Sequence, residues 1–504
     1  MREVSSSDGG SGMARRASAR VWPLAVTMLA LAWWPYAAIA AAALSFAAYT
    51  EWWPLAAPLM FLATGVTVAA TRPTALPGHA VRPDDEPELA ALVDTVARHL
   101  GFEGPLLVRI TPDPCAALAR IRVGGVRTCV LVLGLPLLRT LTEAQLAAVV
   151  AHELAHERHT RRPGAAVLHF ARDTLGACLD SPFRRRLIPF APRLLRASQP
   201  SAWQAETAAD ADAARVAGTT ATADALRHTH TLAALFHGPA TDWWCALEQT
   251  GRRPEDFYDA LDIALKNPYV ARRAADRVAQ DDAFDPYATD DHPPLASRVA
   301  ALPPADGAAA VFRAVPVSLR TAADVEDWCV ERLGSDMGVT LDGLWEEHRA
   351  HLTGDVPACV PVRLLDMDPD ELRRQVDDLV EDPDLRTATG RAAPAEALAA
   401  ALEALDDGSW PSLADRCDGR IRTAPPLARP ELRRDTFRAA VVCGLEGVLR
   451  GAGWTSTVRW LGTVLTAPDG RVVDLDALVT GALAGADTTA LRALLADART
   501  QEPA

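Results

Sequence analysis

Two histidines four residues apart with a glutamate between them, His152-Glu153-Leu154-Ala155-His156, are the residues best suited to chemistry in this 504-residue chain. On a helix, positions i and i+4 share a face, so both imidazoles can reach one ion. Zinc takes nitrogen ligands at about 2.0–2.1 Å and accepts that bite. Glu153, one step round the helix, falls beside the ion, where it can act as general base toward a zinc-activated water. The bland alternative is a helix whose histidines are merely solvated or packed.

A catalytic zinc site needs a third protein ligand and keeps one position open. Glu206 and Asp210 repeat the four-residue spacing on a helix expected from Ser201, as N-cap, to Gly218, as stop. Glu206 is the candidate third ligand, and Asp210 can accept the free N–H of a ligating imidazole, fixing its tautomer and tilt. An ordinary acidic helix surface is the alternative, but Ala208, Ala209, Ala213 and Ala214 suit close packing. A third element is His292-Pro293-Pro294-Leu295, followed by Arg298. The prolines pin the backbone, and His292 or Arg298 can hydrogen-bond the oxyanion of a tetrahedral intermediate. His159, His228, His230 and His237 read as surface or core packing.

These residues need elements to hold them. Thr140–His159 reads as a helix with a Thr140/Glu143 capping box. Glu86–Leu100 reads as an amphipathic helix, with Leu89, Leu92, Val93 and Val96 on one stripe and Gly101 as its stop. Leu106–Thr111 and Cys129–Leu133 read as short strands. The expected class is therefore mainly α with a small β-sheet. Pro303-Pro304-Ala305-Asp306-Gly307 marks a domain border, closing a first domain over 86–302 that holds the candidate metal ligands. Beyond it, helical patterns at 322–333, 369–382, 393–407 and 430–450 and a hairpin at Asp469-Gly470 make 308–504 an α-rich region without a chemical motif.

Composition excludes several classes. With 49% apolar residues the chain is not wholly disordered, and a net charge of −14 argues against a nucleic-acid partner. Much of that charge sits between Thr321 and Trp410, where 22 Asp/Glu face 7 Arg, a run that reads as a solvated face. Eight cysteines without a C-x-x-C pair fit reduced thiols rather than a disulfide framework.

The N-terminus points to a bilayer. Residues 1–20, rich in Ser and Gly with four arginines, read as a disordered basic tail. The 30 residues Val21–Thr50 carry no charge, and after Glu51 the 20 residues Trp52–Thr71 carry none either. Each run is long enough to span, and longer than the roughly 7–15 apolar residues of a signal peptide. We expect two transmembrane helices over 21–71, then a linker over 72–85. Arginines flank the pair on both outer sides and are absent between, which puts both termini in the cytoplasm of a cell-membrane protein.

The hydrophobic hairpin, the helix from Thr142-Glu143-Ala144-Gln145-Leu146 to the His152–His156 motif, Glu206-Thr207-Ala208-Ala209-Asp210 and His292-Pro293-Pro294-Leu295-Ala296-Ser297-Arg298 together resemble the HtpX-like and CAAX prenyl protease metallopeptidases. These are integral-membrane zinc endopeptidases of the gluzincin type. The resemblance covers roughly 20–302. It implies a zincin-type domain with one zinc on His152, His156 and Glu206, Glu153 as general base, Asp210 behind the ligands, and His292 and Arg298 toward the substrate carbonyl. Bacterial relatives often place two more membrane helices between the His pair and the Glu. Here Arg172, Asp173 and Arg184-Arg185-Arg186 interrupt that stretch, which reads as a solvated helical lid, with a segment lying on the anionic membrane surface as the alternative. The family's Asn-Ala-Phe-Ala element appears only loosely as Cys115-Ala116-Ala117-Leu118-Ala119.

The expectation is a membrane-anchored zinc endopeptidase acting on protein or peptide substrates at the cytoplasmic side, with Cys129–Leu133 offered as a strand for an extended substrate. The rival is a sensor or scaffold with a regulated or degenerate metal module and a partner-recruiting acidic region.

Overall fold

A computed structural model describes residues 21–35, 78–123, 126–160, 163–180, 188–283, 289–304, 311–337, 360–379, 385–485 and 487–501, with isolated positions near the N-terminus. The chain divides into two compact units, Met1–His230 with Ala279–Val325, and Thr231–Val278 with Glu326–Ala504. Both are mainly helical with small sheets.

In the first unit, β1 (His79–Val81), β2 (Leu106–Thr111), β3 (Ala116–Val123) and β4 (Val126–Gly134) form one sheet in the order β1-β2-β4-β3. β2 and β4 run parallel, while β1 and β3 pair antiparallel on the outside. The strand expected at Cys129–Leu133 is the core of β4, and its inner part is buried. Because β4 has a hydrogen-bonded neighbour on each side, it has no edge to offer a substrate; the outer strands of this sheet are β1 and β3. Gly134 ends β4 where the backbone of the β2–β3 turn crosses it: its N–H donates to the Cys115 carbonyl at 2.7 Å, and a Cβ there would collide with the Asp113 carbonyl.

α1 (Pro87–Leu100) buries Leu89, Leu92, Val93 and Val96, the expected stripe. It stops at Gly101, whose φ of 62° is left-handed and whose N–H returns to the last turn. α2 (Glu143–Thr160) carries the paired histidines. Its capping box is Thr142 with Gln145, not Thr140 with Glu143. Thr142 N–H donates to Gln145 Oε1 at 2.9 Å, and Gln145 N–H to Thr142 Oγ1 at 3.3 Å. Thr140 instead closes the short helix Leu135–Thr140, its hydroxyl bonded to the Pro136 carbonyl.

Leu146, Ala147, Ala148, Val150, Ala151, Leu154 and Ala155 bury a broad arc of α2, opposite the side that carries His152, Glu153 and His156. Each of the larger ones contributes roughly 1.5–3 kcal/mol, which fixes the helix and the direction of its polar face. α3 (Pro163–Asp180) follows, then α4 (Ala191–Ala217), which packs along α2. α4 begins ten residues ahead of the expected Ser201 start, and Pro200 lies inside it. Ala209, Ala213 and Ala214 are fully buried, so small side chains on both helices let them approach closely. α5 (Leu295–Ala301) opens after Pro293-Pro294. Residues 311–321 then return to the start of α2: Glu143 N–H donates to the Val315 carbonyl, and the buried Glu86 carboxylate accepts from the N–H groups of Arg320 and Thr321, each at 2.8 Å.

Residues 21–35 are helical and bury Ala25, Met28 and Ala32 against Leu168, Ala171, Leu175 and Cys178 of α3 and Leu195 of α4. Among the described residues no helix is long and apolar enough to cross a membrane. Residues 1–20 and 46–71, and with them most of the expected transmembrane hairpin, lie outside the described residues.

The second unit gathers the expected helical patterns as Pro369–Leu379, Pro394–Asp406 and Arg429–Gly451 around a three-stranded antiparallel sheet, Thr455–Val458, Leu461–Thr466 and Val472–Asp474. Gly470, with φ 86°, turns the hairpin expected there. Leu398, Leu402, Phe437, Val441, Leu445 and Leu475 form the centre of its core.

Candidate metal centre

His152 and His156 stand one turn apart on α2 with their rings at 84° and their Nε2 atoms 3.0 Å apart. Glu206, buried on α4, closes the triangle: its Oε2 is 3.4 Å from His152 Nε2 and its Oε1 3.2 Å from His156 Nε2. Two donor atoms bound tetrahedrally at about 2.0–2.1 Å lie about 3.3 Å apart, so this triangle has the edge lengths of a zinc site. The residues present fit the ion.

Behind the triangle lies a second layer. Asp210, one turn beyond Glu206 and 2% exposed, places Oδ1 2.9 Å from His152 Nδ1. That contact leaves His152 Nε2 free as a lone pair toward the other ligands. Arg298 of α5, 4% exposed, grips both Asp210 oxygens, Nε to Oδ2 at 2.9 Å and a terminal nitrogen to Oδ1 at 2.7 Å. The same guanidinium comes within 3.9 Å of Glu206 Oε2. The structure thus brings Arg298 to the carboxylates, whereas His292 keeps half of its side chain exposed and contacts Glu206 Oε2 through Nδ1 at 2.6 Å.

Electrostatics follow from this burial and pairing. Burial pushes the Glu153 carboxyl up, reinforced by Glu206 and opposed by His152, to about 7, near the ideal for a base working at neutral pH. Burial and the neighbouring His152 push His156 down to about 4, which keeps its imidazole neutral and able to ligate. For His152, burial disfavours the cation, but the Asp210 and Glu206 bonds outweigh it and raise the group to about 9. Glu206 and Asp210 pay for burial but are held low by their partners, Asp210 to about 2 through Arg298.

Cys115, in the turn before β3, is pushed up to about 12 by burial, with Asp113 and Glu153 adding to the shift. It is therefore a neutral thiol near the base, not a thiolate ligand. His230 bonds the Leu226 carbonyl within its own helix, and His237 packs edge-on against Phe236. The His159 side chain lies outside the described residues.

The Asp210–Arg298 pair was not foreseen as a pair. Nothing in the spacing of residues 88 apart signals it. Arg298 lies six residues after His292, on the short helix Leu295–Ala301 that follows the proline pair. Residues 83–305 match the family model described as Peptidase family M48. No curated protein and no solved structure matches the chain.

Proposed function

We propose that the chain is a membrane-anchored, zinc-dependent endopeptidase whose site faces the cytoplasm; the match of residues 83–305 to Peptidase family M48 supports the metallopeptidase reading. The observation that carries the reading is the convergence of two imidazole nitrogens and one carboxylate at 3.0–3.4 Å, backed by a buried Asp–Arg pair. Two nitrogen donors and one oxygen favour zinc over the hard cations.

His152, His156 and Glu206 would hold the ion, which when bound supplies Lewis acidity to a water and to the scissile carbonyl. Glu153, half-buried beside them, takes the proton from the attacking water and later gives it to the leaving amine. Asp210 fixes the His152 ring, and Arg298 fixes Asp210, so Arg298 acts as a positioning residue. His292 is the exposed donor for the developing oxyanion. An extended substrate pairs with the open edge of β3, main chain to main chain.

The anchoring rests on the two uncharged N-terminal runs, and the orientation on their flanking arginines. Protein or peptide substrates, a lipid bilayer and no nucleic acid are the partners this reading implies.

Glu153→Gln tests it. The variant should bind zinc as the wild type does and lose about 10²–10⁴-fold in chelator-sensitive casein cleavage. Wild-type-like cleavage by that variant would refute the assignment. Zinc binding without any cleavage by the wild type would favour a scaffold instead.

A further inference from the structure

A second group of metal-ligating side chains lies on α3, outside the peptidase centre. His169 and Asp173 stand four residues apart on α3 and so share a face. Asp291 comes from the segment that leads into α5. His169 Nδ1 lies 3.2 Å from Asp291 Oδ2, and His169 Nε2 lies 3.5 Å from Asp173 Oδ2. One ligand atom from each of the three lies within 4.8 Å of the other two.

Asp291 is not a loose surface carboxylate. Arg172, 2% exposed, donates to its Oδ1 and is itself held by the Leu195 carbonyl and Ser198 Oγ. That buried clamp commits one oxygen of Asp291 and presents the other to His169. His169 meets the two carboxylates with different ring nitrogens, so an ion would replace one of these contacts; His169 and Asp173, 61% and 57% exposed, leave room for that turn and for water to complete a coordination shell.

We propose that His169, Asp173 and Asp291 form a second divalent-cation site, separate from His152, His156 and Glu206, that takes zinc or a similar borderline transition metal. One imidazole with two carboxylates suits such ions, whereas calcium and magnesium seek all-oxygen shells. An ion there joins α3 to the segment 289–294. His292 is the next residue after Asp291, its N–H bonded to Asp290 Oδ1 at 2.8 Å and its ring on Glu206. Occupancy therefore restrains the backbone that carries His292. Being more exposed, this site binds its ion more weakly than the buried centre.

The test is zinc stoichiometry on the full chain in detergent, stripped with chelator and titrated with Zn²⁺ alone. Wild type should take up two ions per chain, one tight and one weaker. His156→Ala should lose the tight ion and keep the weaker one. His169→Ala with Asp173→Asn should do the reverse, and its intact tight ion shows that the fold survives. Asp173→Asn alone, which preserves the His169–Asp291 contact, should weaken the second ion by about tenfold or more. Cobalt(II) in His156→Ala should give the weak visible absorption of a five- or six-coordinate ion rather than the intense bands of a tetrahedral one. A single zinc in the wild type, or a second zinc that survives the His169/Asp173 substitutions, overturns the proposal. Each site is counted separately, so failure of this one leaves the peptidase centre standing, and the converse also holds.

Discussion

Arg298→Met should damage the protein more than Asp210→Asn, although the two residues are partners in one ion pair. Removing Arg298 strands the Asp210 carboxylate, which is 2% exposed and left with only the His152 Nδ1 contact at 2.9 Å. Breaking a buried pair in this way costs about 3–5 kcal/mol. Removing the Asp210 charge instead leaves Arg298 a second carboxylate, Glu206, at 3.9 Å, so its cost should fall at or below the low end of that range. Against a total stability of about 5–15 kcal/mol, Arg298→Met takes a large share. It should lower the melting temperature of this unit by roughly 6–20 °C.

The double variant Asp210→Asn/Arg298→Met removes both charges and should recover much of the loss, giving a coupling well above 1 kcal/mol. The assay is chemical and thermal unfolding of the full chain with chelator present, following the transition that moves when zinc is added. Zinc affinity, measured by competition with a chromophoric chelator, should fall about 10–100-fold in Arg298→Met, because the His152 ring loses its orientation. Additive single effects, each below about 1 kcal/mol, would show that the Asp210–Arg298 pair is not buried and coupled as described.

Three further outcomes follow from the same structure. Asp210 is held at about 2 in the fold against an ordinary 3.8, so its stabilisation is full above about pH 4 and is lost as pH falls toward 2; chelated Arg298→Met should lack that acid limb in urea unfolding. Thr142→Ala should cost about 1 kcal/mol in thermal unfolding through the lost capping box, whereas Thr140→Ala should leave the cap of α2 intact. A reporter fused after Ala504 should be active on the cytoplasmic side, and activity only outside the cytoplasm would invert the topology.

The parts of the site that share one helix were legible because helical spacing alone puts them on one face. His152 with His156 and Glu206 with Asp210 needed no tertiary knowledge beyond the helices themselves. What escaped was whatever depends on distant chain. The Arg298–Asp210 grip joins residues 88 apart, and the return of 311–321 onto the start of α2 is made by backbone groups that any sequence carries. β3 escaped because Ala116–Val123, AALARIRV, mixes small residues and arginines and lacks the aromatic and β-branched density that signals a strand. With it went the correct edge of the sheet: a nearly all-apolar strand such as β4 belongs in the middle, flanked on both sides, and the plainer β3 lies outside.

The two misplaced helix starts have different causes. Thr140-x-x-Glu143 and Thr142-x-x-Gln145 both satisfy the capping pattern, and only the short helix ending at Thr140 decides between them. Ser201 reads as an N-cap, yet α4 starts ten residues earlier and runs through Pro200. Upstream of Pro200, Ala191 and Leu195 bury with Ala25 and Met28 of the N-terminal helix, so tertiary packing holds a turn that local propensity disfavours. That extension matters for the chemistry. It carries the Leu195 carbonyl and Ser198, which hold Arg172, and Arg172 in turn holds Asp291 beside His292. The N-terminal helix and the loop bearing His292 are thereby linked through one buried guanidinium. Arg172→Leu should then disturb His292 before it disturbs the zinc ligands, lowering kcat while zinc affinity stays near wild type. Loss of zinc in parallel with activity would show that Arg172 supports the whole centre instead.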